Sequence, residues 1–404
     1  PWSHAFPHDP YPKPAMEWRF EAVRWFDQWL RERDTGILKE PKFAVFVRRW
    51  HPPGPYLEEA PGQWVWEAGW PINHIKEQLF YFQPDHTLSE SVPQSETHQL
   101  RNVPSTGIEA SGPVMWWGDV APDQRLTDAF SLIYDSLPMS HEIEMLGLPK
   151  AILQVSANAP HANWFVRISD VAPDGTVTQV AGAGFNGTHR NSPKNPQSLT
   201  PGELFPLEVE LHFTSWTFQK GHRIRVAINN SQWPMFWPSP YPVTTSLVLG
   251  SKSKMLLPIV PKMDRKQPSF LIPAKNPVLP GFKSLDEGTT SGYGEIGTIE
   301  RDPSKQITKV IATNSSGTQY PWGIERFDER IVHETNDEHP ENTSVIGEHK
   351  FEVQLKDRTL TWQGSLLFRS DQKNFYYTYT RKLLKDGKLI REKNWKDTIP
   401  RDFQ

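Results

Sequence analysis

The chain has 404 residues, more than one hydrophobic core usually organises, so two or three domains are expected. Its 44 basic and 47 acidic residues leave a net charge of -3, which argues against a nucleic-acid or anionic-membrane partner and favours a small or neutral one. The 38 prolines, 25 glycines and 17 tryptophans suit short strands joined by turns, and the absence of cysteine removes disulfides, zinc–thiolate sites and thiol nucleophiles.

The opening Pro1-Trp2-Ser3-His4 has no initiator methionine, charged n-region or apolar h-region, so it reads as sequence with something upstream of it. No apolar run approaches the roughly 20 residues that span a bilayer, so no membrane segment is expected. The lack of cysteine leans toward the cytoplasm without deciding the compartment. After Pro10, Pro12 and Pro14 the spacing predicts a helix over 15–31, with Trp18, Ala22, Trp25, Phe26 and Trp29 on one face. Glu17, Glu21, Arg24, Gln28 and Arg31 fall on the other, and Gly36 reads as the end of the segment. A stripe with three tryptophans must bury against something large.

From residue 41 to about 261 the pattern changes to short apolar or alternating runs, clearest at Phe43–Val47, Leu79–Phe82, Ala151–Val155, Trp164–Ile168 and Ile224–Ile228. Pro173-Asp174-Gly175 and Lys220-Gly221-His222 supply turns between them. Roughly ten strands fit a two-sheet jelly roll better than one open sheet, whose edges would need cover. The proline-rich stretch 258–280 reads as a linker or surface strap. Strands then resume at Thr308–Ala312, Lys350–Leu355, Leu360–Trp362 and Asn374–Arg381, and Asp386-Gly387 marks a hairpin turn, which predicts a small separate β domain over 280–404.

The G-x-S-x-G nucleophile elbow of α/β-hydrolases is absent from this sequence. His141-Glu142-Ile143-Glu144-Met145 starts like a zinc-protease helix but lacks the second histidine. His333, Glu334, Asp337, Glu338, His339 and His349 could ligate a metal, but the stretch reads as a solvated loop; no metal and no cofactor are expected. Sequons at Asn186, Asn314 and Asn342 matter only in a secreted protein.

Pro1-Trp2-Ser3-His4, followed by Ala5-Phe6-Pro7-His8-Asp9, resembles the Gly-Pro-Trp-x-His segment that supplies the triad histidine in the X-Pro dipeptidyl-peptidase and cocaine-esterase family of serine hydrolases. The resemblance continues in order through the Trp-rich segment 21–30, Asp34-Thr35-Gly36-Ile37, Ala159-Pro160-His161-Ala162-Asn163-Trp164, Asp170-Val171-Ala172-Pro173-Asp174-Gly175, Gly221-His222-Arg223-Ile224 and Leu256-Leu257-Pro258-Ile259-Val260-Pro261. It covers about residues 1–261. It implies a mainly β fold: residues 1–40 as the last helix of an α/β-hydrolase domain, 41–262 as the non-catalytic jelly roll, and 280–404 as a further β domain found in some members.

Taken alone, a histidine near a chain end is ordinarily a surface or capping side chain. The resemblance instead makes His4 the catalytic histidine and Trp2 a neighbour of the substrate pocket, with core packing of Trp2 equally open. His8 and Asp9 read as structural. The implied partners are the upstream hydrolase portion and a small ester, amide or X-Pro peptide, and a homo-oligomer is compatible with this reading. The rival is a carbohydrate-binding or scaffold jelly roll using Trp233, Phe236, Trp237 and Tyr241 as stacking surfaces.

Overall fold

The computed structural model describes residues 2, 6–10, 12–54, 57–108, 121–275, 277, 279–285 and 298–404. Within them the chain is mainly β, and no helix is long and apolar enough to cross a membrane. The principal helix, Trp18–Leu30, lies outside the sheets and is shorter at both ends than its periodicity suggests. Gly36 does not end it: with φ at +79° it starts the short 3-10 turn Ile37–Lys39 six residues later.

Residues 76–260 build two antiparallel sheets that share one core. One has four strands in the order Val177–Asn186, Asn163–Val171, Arg223–Asn229 and Leu132–Asp135. The other runs Thr214–Phe218, Ile143–Gly147, Lys254–Val260, Lys150–Ala157, Thr244–Val248 and Thr97–Arg101, with further strands attached to two of these. Trp164, Val166, Ile168 and Val226 of the first sheet meet Met145, Leu153, Val155 and Leu257 of the second, which makes the pair a sandwich. The period-two pattern explains the sidedness. In Phe205–Glu210, Leu207 and Val209 point inward while Glu208 and Glu210 turn out to meet Lys150. Asn163–Val171 has partners on both edges and is buried at every position. The Pro173-Asp174-Gly175 turn joins two neighbours of one sheet, whereas Lys220-Gly221-His222 carries the chain from one sheet to the other.

The sandwich also encloses charge. Fully buried Arg167 donates to Asp128 at 2.7 Å, and Arg225 joins Asp128 to Asp135, so these two carboxylates face guanidinium groups. Asp170 accepts from Trp216 Nε1 at 2.8 Å and pairs with His222 Nδ1 at 2.7 Å; burial pushes its carboxyl up, against these bonds.

A two-stranded hairpin, Phe43–Arg48 with Gly62–Glu67, sits beside the sandwich over its own small core of Val45, Val47, Val65, Ile72, Leu146 and Val260. The stretch after Val260 runs back over this hairpin as a strap. Trp66 donates to Lys266 O, Arg265 pairs with Glu67 and Glu144, and Glu17 at the start of the helix donates to Leu271 O.

Residues 283–400 form an eight-stranded antiparallel sheet, mostly a meander of 12- to 14-residue strands from Ile307–Tyr320 to Lys388–Pro400. The turn at Asp386-Gly387, both at positive φ, closes the last hairpin. The sheet rests on the sandwich at one end. Trp237 packs edge-on against the stacked pair Phe368 and Phe375 at 5.1 and 5.6 Å and donates to Ser370 Oγ, while buried Arg401 donates to Pro238 O.

Two expectations need correction here. The polar stretch around His333 is only partly a loop: Asp337, Glu338 and His339 lie in the connection between two strands, but His333 and Glu334 lie in the strand Gly323–Asn336 and His349 in Ser344–Leu355. Alternation hid this. Thr335 points into the interface, whereas Glu334 faces Lys309 on the other side at 2.8 Å. His333 packs edge-on against Trp233, and burial holds its imidazole down at about 4. The second concerns Trp233 and Trp237: one is buried and the other is enclosed by the C-terminal sheet, so neither offers a free face to a sugar ring.

Candidate functional site

His4 lies outside the described residues. Trp2 is placed: its indole Nε1 donates to Pro14 O at 2.7 Å and its ring lies 5.9 Å from Trp64. Trp64 meets Phe270 of the strap at 5.0 Å and Phe46 at 5.5 Å, so the N-terminal segment, hairpin and strap are joined by one aromatic stack. His8 is tied to the helix: its Nδ1 accepts from Trp18 Nε1 at 2.9 Å, and Phe6 stacks on the same indole.

Trp2 lines a cavity of about 430 Å³ between the N-terminal segment, the strand Phe43–Arg48 and the edge of the sandwich. A β-bulge at Val180 leaves a carbonyl off the ladder there. Arg48 donates to that carbonyl at 3.1 Å, to Thr214 Oγ1 at 2.6 Å and to Ser215 O, pinning the hairpin across the sandwich. His51, also in the wall, is buried against Trp216, and burial lowers its pKa, so the imidazole is held neutral. The cavity can accept an apolar group beside a neutral imidazole and a guanidinium. Among the described residues, no group of three or more His, Cys, Asp or Glu side chains could hold a metal ion.

The helix Trp18–Leu30 faces opposite to what an isolated globular chain would choose. Its polar side turns inward, where Arg24 pairs with Glu21 and Glu40 and Gln28 Oε1 accepts from the Thr35 backbone N–H. Its aromatic side turns outward: Trp25, Phe26 and Trp29 are 50%, 57% and 54% exposed. Trp18 alone of the three tryptophans is partly covered, by Phe6 and His8.

Residues 39–272 match the family described as the X-Pro dipeptidyl-peptidase C-terminal non-catalytic domain, more than half of the chain. The chain belongs to that family. Among relatives, a Mycobacterium tuberculosis protein named as a candidate serine esterase is 26% identical over 292 residues, covering 64% of this chain and 45% of the relative. The cocaine esterase of a Rhodococcus species is 25% identical over 227 residues, covering 52% and 38%. An aminopeptidase from a marine-sediment Thaumarchaeota archaeon shares the fold over 65% of this chain and 49% of its own, with a TM-score of 0.53 at 20% identity. The chain spans about half the length of the curated relatives it matches.

The sandwich and hairpin together are therefore the family's non-catalytic module, the fold the sequence motifs imply. Sequence reasoning singled out Trp2 but missed Arg48, His51, Trp64 and Phe270. These four come from segments up to some 220 residues apart, with no shared local pattern. Only the aromatic content of Gly62–Glu67 could have pointed to Trp64.

Proposed function

We propose that this chain is the C-terminal portion of a serine hydrolase acting on a small ester, amide or X-Pro peptide, and that it contributes the triad histidine, His4, together with the non-catalytic sandwich as a jelly-roll module. The observation that carries this reading is the outward aromatic face of the helix Trp18–Leu30, which follows His4 by one short segment. Three half-exposed large aromatics on one surface helix call for a covering partner. The hydrolase core that holds the nucleophile is the partner that places His4 at an active site. The names of the relatives, a candidate serine esterase and a cocaine esterase, support an acyl-transfer reaction.

In this reading the nucleophilic serine and its acidic partner belong to sequence upstream of Pro1. His4 takes the serine proton as the hydroxyl attacks the substrate carbonyl, returns it to the leaving group, and then activates the water that deacylates the enzyme. Trp2, held by Pro14 and Trp64, closes one side of the pocket.

The test is the full-length gene product. Its hydrolysis of p-nitrophenyl esters or X-Pro anilides should be blocked by a serine-directed inhibitor. His4→Ala should lower the rate by about three orders of magnitude or more, and His8→Ala far less. The 404-residue chain alone should show no hydrolysis above a heat-killed control. Robust activity in that chain, or an unimpaired His4→Ala enzyme, overturns the assignment.

A further inference from the structure

The C-terminal sheet carries a second, independent cavity, of about 330 Å³, lined by Trp362, Arg381, Leu383, Arg391, Lys393 and Trp395. All six project from the face that the register also assigns to Tyr379 and Gly364. The cations stand out. Arg381 and Lys393 are directly opposite one another on neighbouring strands, and Arg391 opposes Leu383 one step further along. Like charges in direct cross-strand register destabilise a sheet, so this pairing works against the fold.

Some charges elsewhere on the sheet are matched, as Lys309 with Glu334, Lys350 with Glu352 and Lys382 with Glu392, while Lys385 and Lys388 also stand opposite one another at the hairpin turn. Among the described residues, none of Arg381, Arg391 and Lys393 forms an ion pair; Lys393 Nζ lies over the Trp395 ring at 4.6 Å. Trp395 has Tyr379 beside it at 5.4 Å and Trp362 has Phe351 beside it at 5.8 Å, each its cross-strand neighbour, and both indoles stay partly exposed. Partly exposed aromatic side chains at two ends and a cationic row between them complement a ligand that is flat and apolar at one end and anionic at the other.

We propose that this cavity is a binding site for aromatic carboxylates, with the carboxylate on Arg381 and Lys393 and the ring on Trp395 or Trp362. The site shares no residue with the helix or the cavity described above and needs no catalytic role. A small ligand on an open site binds weakly, so saturation at millimolar concentration is expected.

The experiment is calorimetric titration of the 404-residue chain with 2-naphthoate at low salt. Saturable one-to-one binding is expected, weakened about tenfold or more by the double substitution Arg381→Ala with Lys393→Ala and also by Trp395→Leu. Neutral 2-naphthamide should bind at least tenfold more weakly, a comparison that needs no variant to fold. Raising the salt to about 0.5 M should weaken 2-naphthoate binding, as screening requires. Absence of saturable binding at millimolar concentration, equal affinity for the amide, or a folded double variant that binds as well as the parent overturns the proposal. So does tighter binding of cyclohexanecarboxylate or galacturonate, which would make the indoles a surface for aliphatic or sugar acids.

Discussion

In the sandwich, the strand Asn163–Val171 is buried at all nine positions, whereas in the C-terminal sheet the strand Lys388–Pro400 has only Trp395 partly covered. Both are antiparallel strands, of 9 and 13 residues, the first paired on both edges and the second at the edge of its sheet. Part of the difference lies in the edge position and part in what stands over them. Each sandwich sheet has the other on its inner face, so large side chains such as Trp164, Trp216 and Phe218 lose nearly all contact with water. In the C-terminal sheet only Val310 and Val332 are buried apolar residues, and Val310 owes its burial to Trp233 of the sandwich. A sheet of one layer depends on its ladder, on cross-strand pairs such as Phe351–Trp362, and on docking at one end. A face without a second layer is also free to bind.

The largest expected effect sharpens this contrast directly. Trp164→Ala should cost about 3–5 kcal/mol in denaturant unfolding, as removal of a fully buried indole does, while Trp362→Ala should cost about 1 kcal/mol or less. Equal costs would mean that the second sheet has a core the contacts do not reveal.

Acid should act next, through the sandwich. His161 is 5% exposed with both ring nitrogens unpaired, and burial, aided by the charge of Arg401, lowers its pKa to about 4. An unfolded histidine near 6.5 takes up a proton that the folded one refuses, so stability is full above pH 6.5 and falls as the pH drops toward 4. The loss from this residue is up to about 3 kcal/mol. His161→Leu should remove its share of that slope, with His333 contributing over the same window, when denaturation midpoints are compared between pH 4.5 and 7. An unchanged pH dependence would rule out His161 as its source.

The smallest effect belongs to the surface of the second sheet. Lys350→Ala removes an ion pair with Glu352 in which both partners are solvent-accessible, and should change stability by less than about 0.5 kcal/mol, a difference that 0.5 M salt erases.

Much of this was legible along the chain. The helix, the strands with alternating or continuous apolar runs, the Pro173-Asp174-Gly175 and Asp386-Gly387 turns and the strap after Pro258 follow from local spacing and turn chemistry, because neighbours in sequence set each of them. Ordered motifs also identified the family. The buried polar network of Arg167, Asp128, Arg225 and Asp135 was invisible, since charged residues read as surface until a fold brings opposite charges together. The strand around His333 was misread for a related reason: its alternation is between polar and charged residues, and only contact with Trp233 makes one side an inside. The same holds for Trp237, whose aromatic ring suits a sugar or a core equally until Phe368 and Phe375 close on it. The sequence by itself therefore determined the strand content, the turns and the family. Tertiary structure alone decided which aromatic faces are covered, as at Trp237, and which are left open, as at Trp25, Trp29 and Trp395, because burial depends on partners that lie tens to hundreds of residues away.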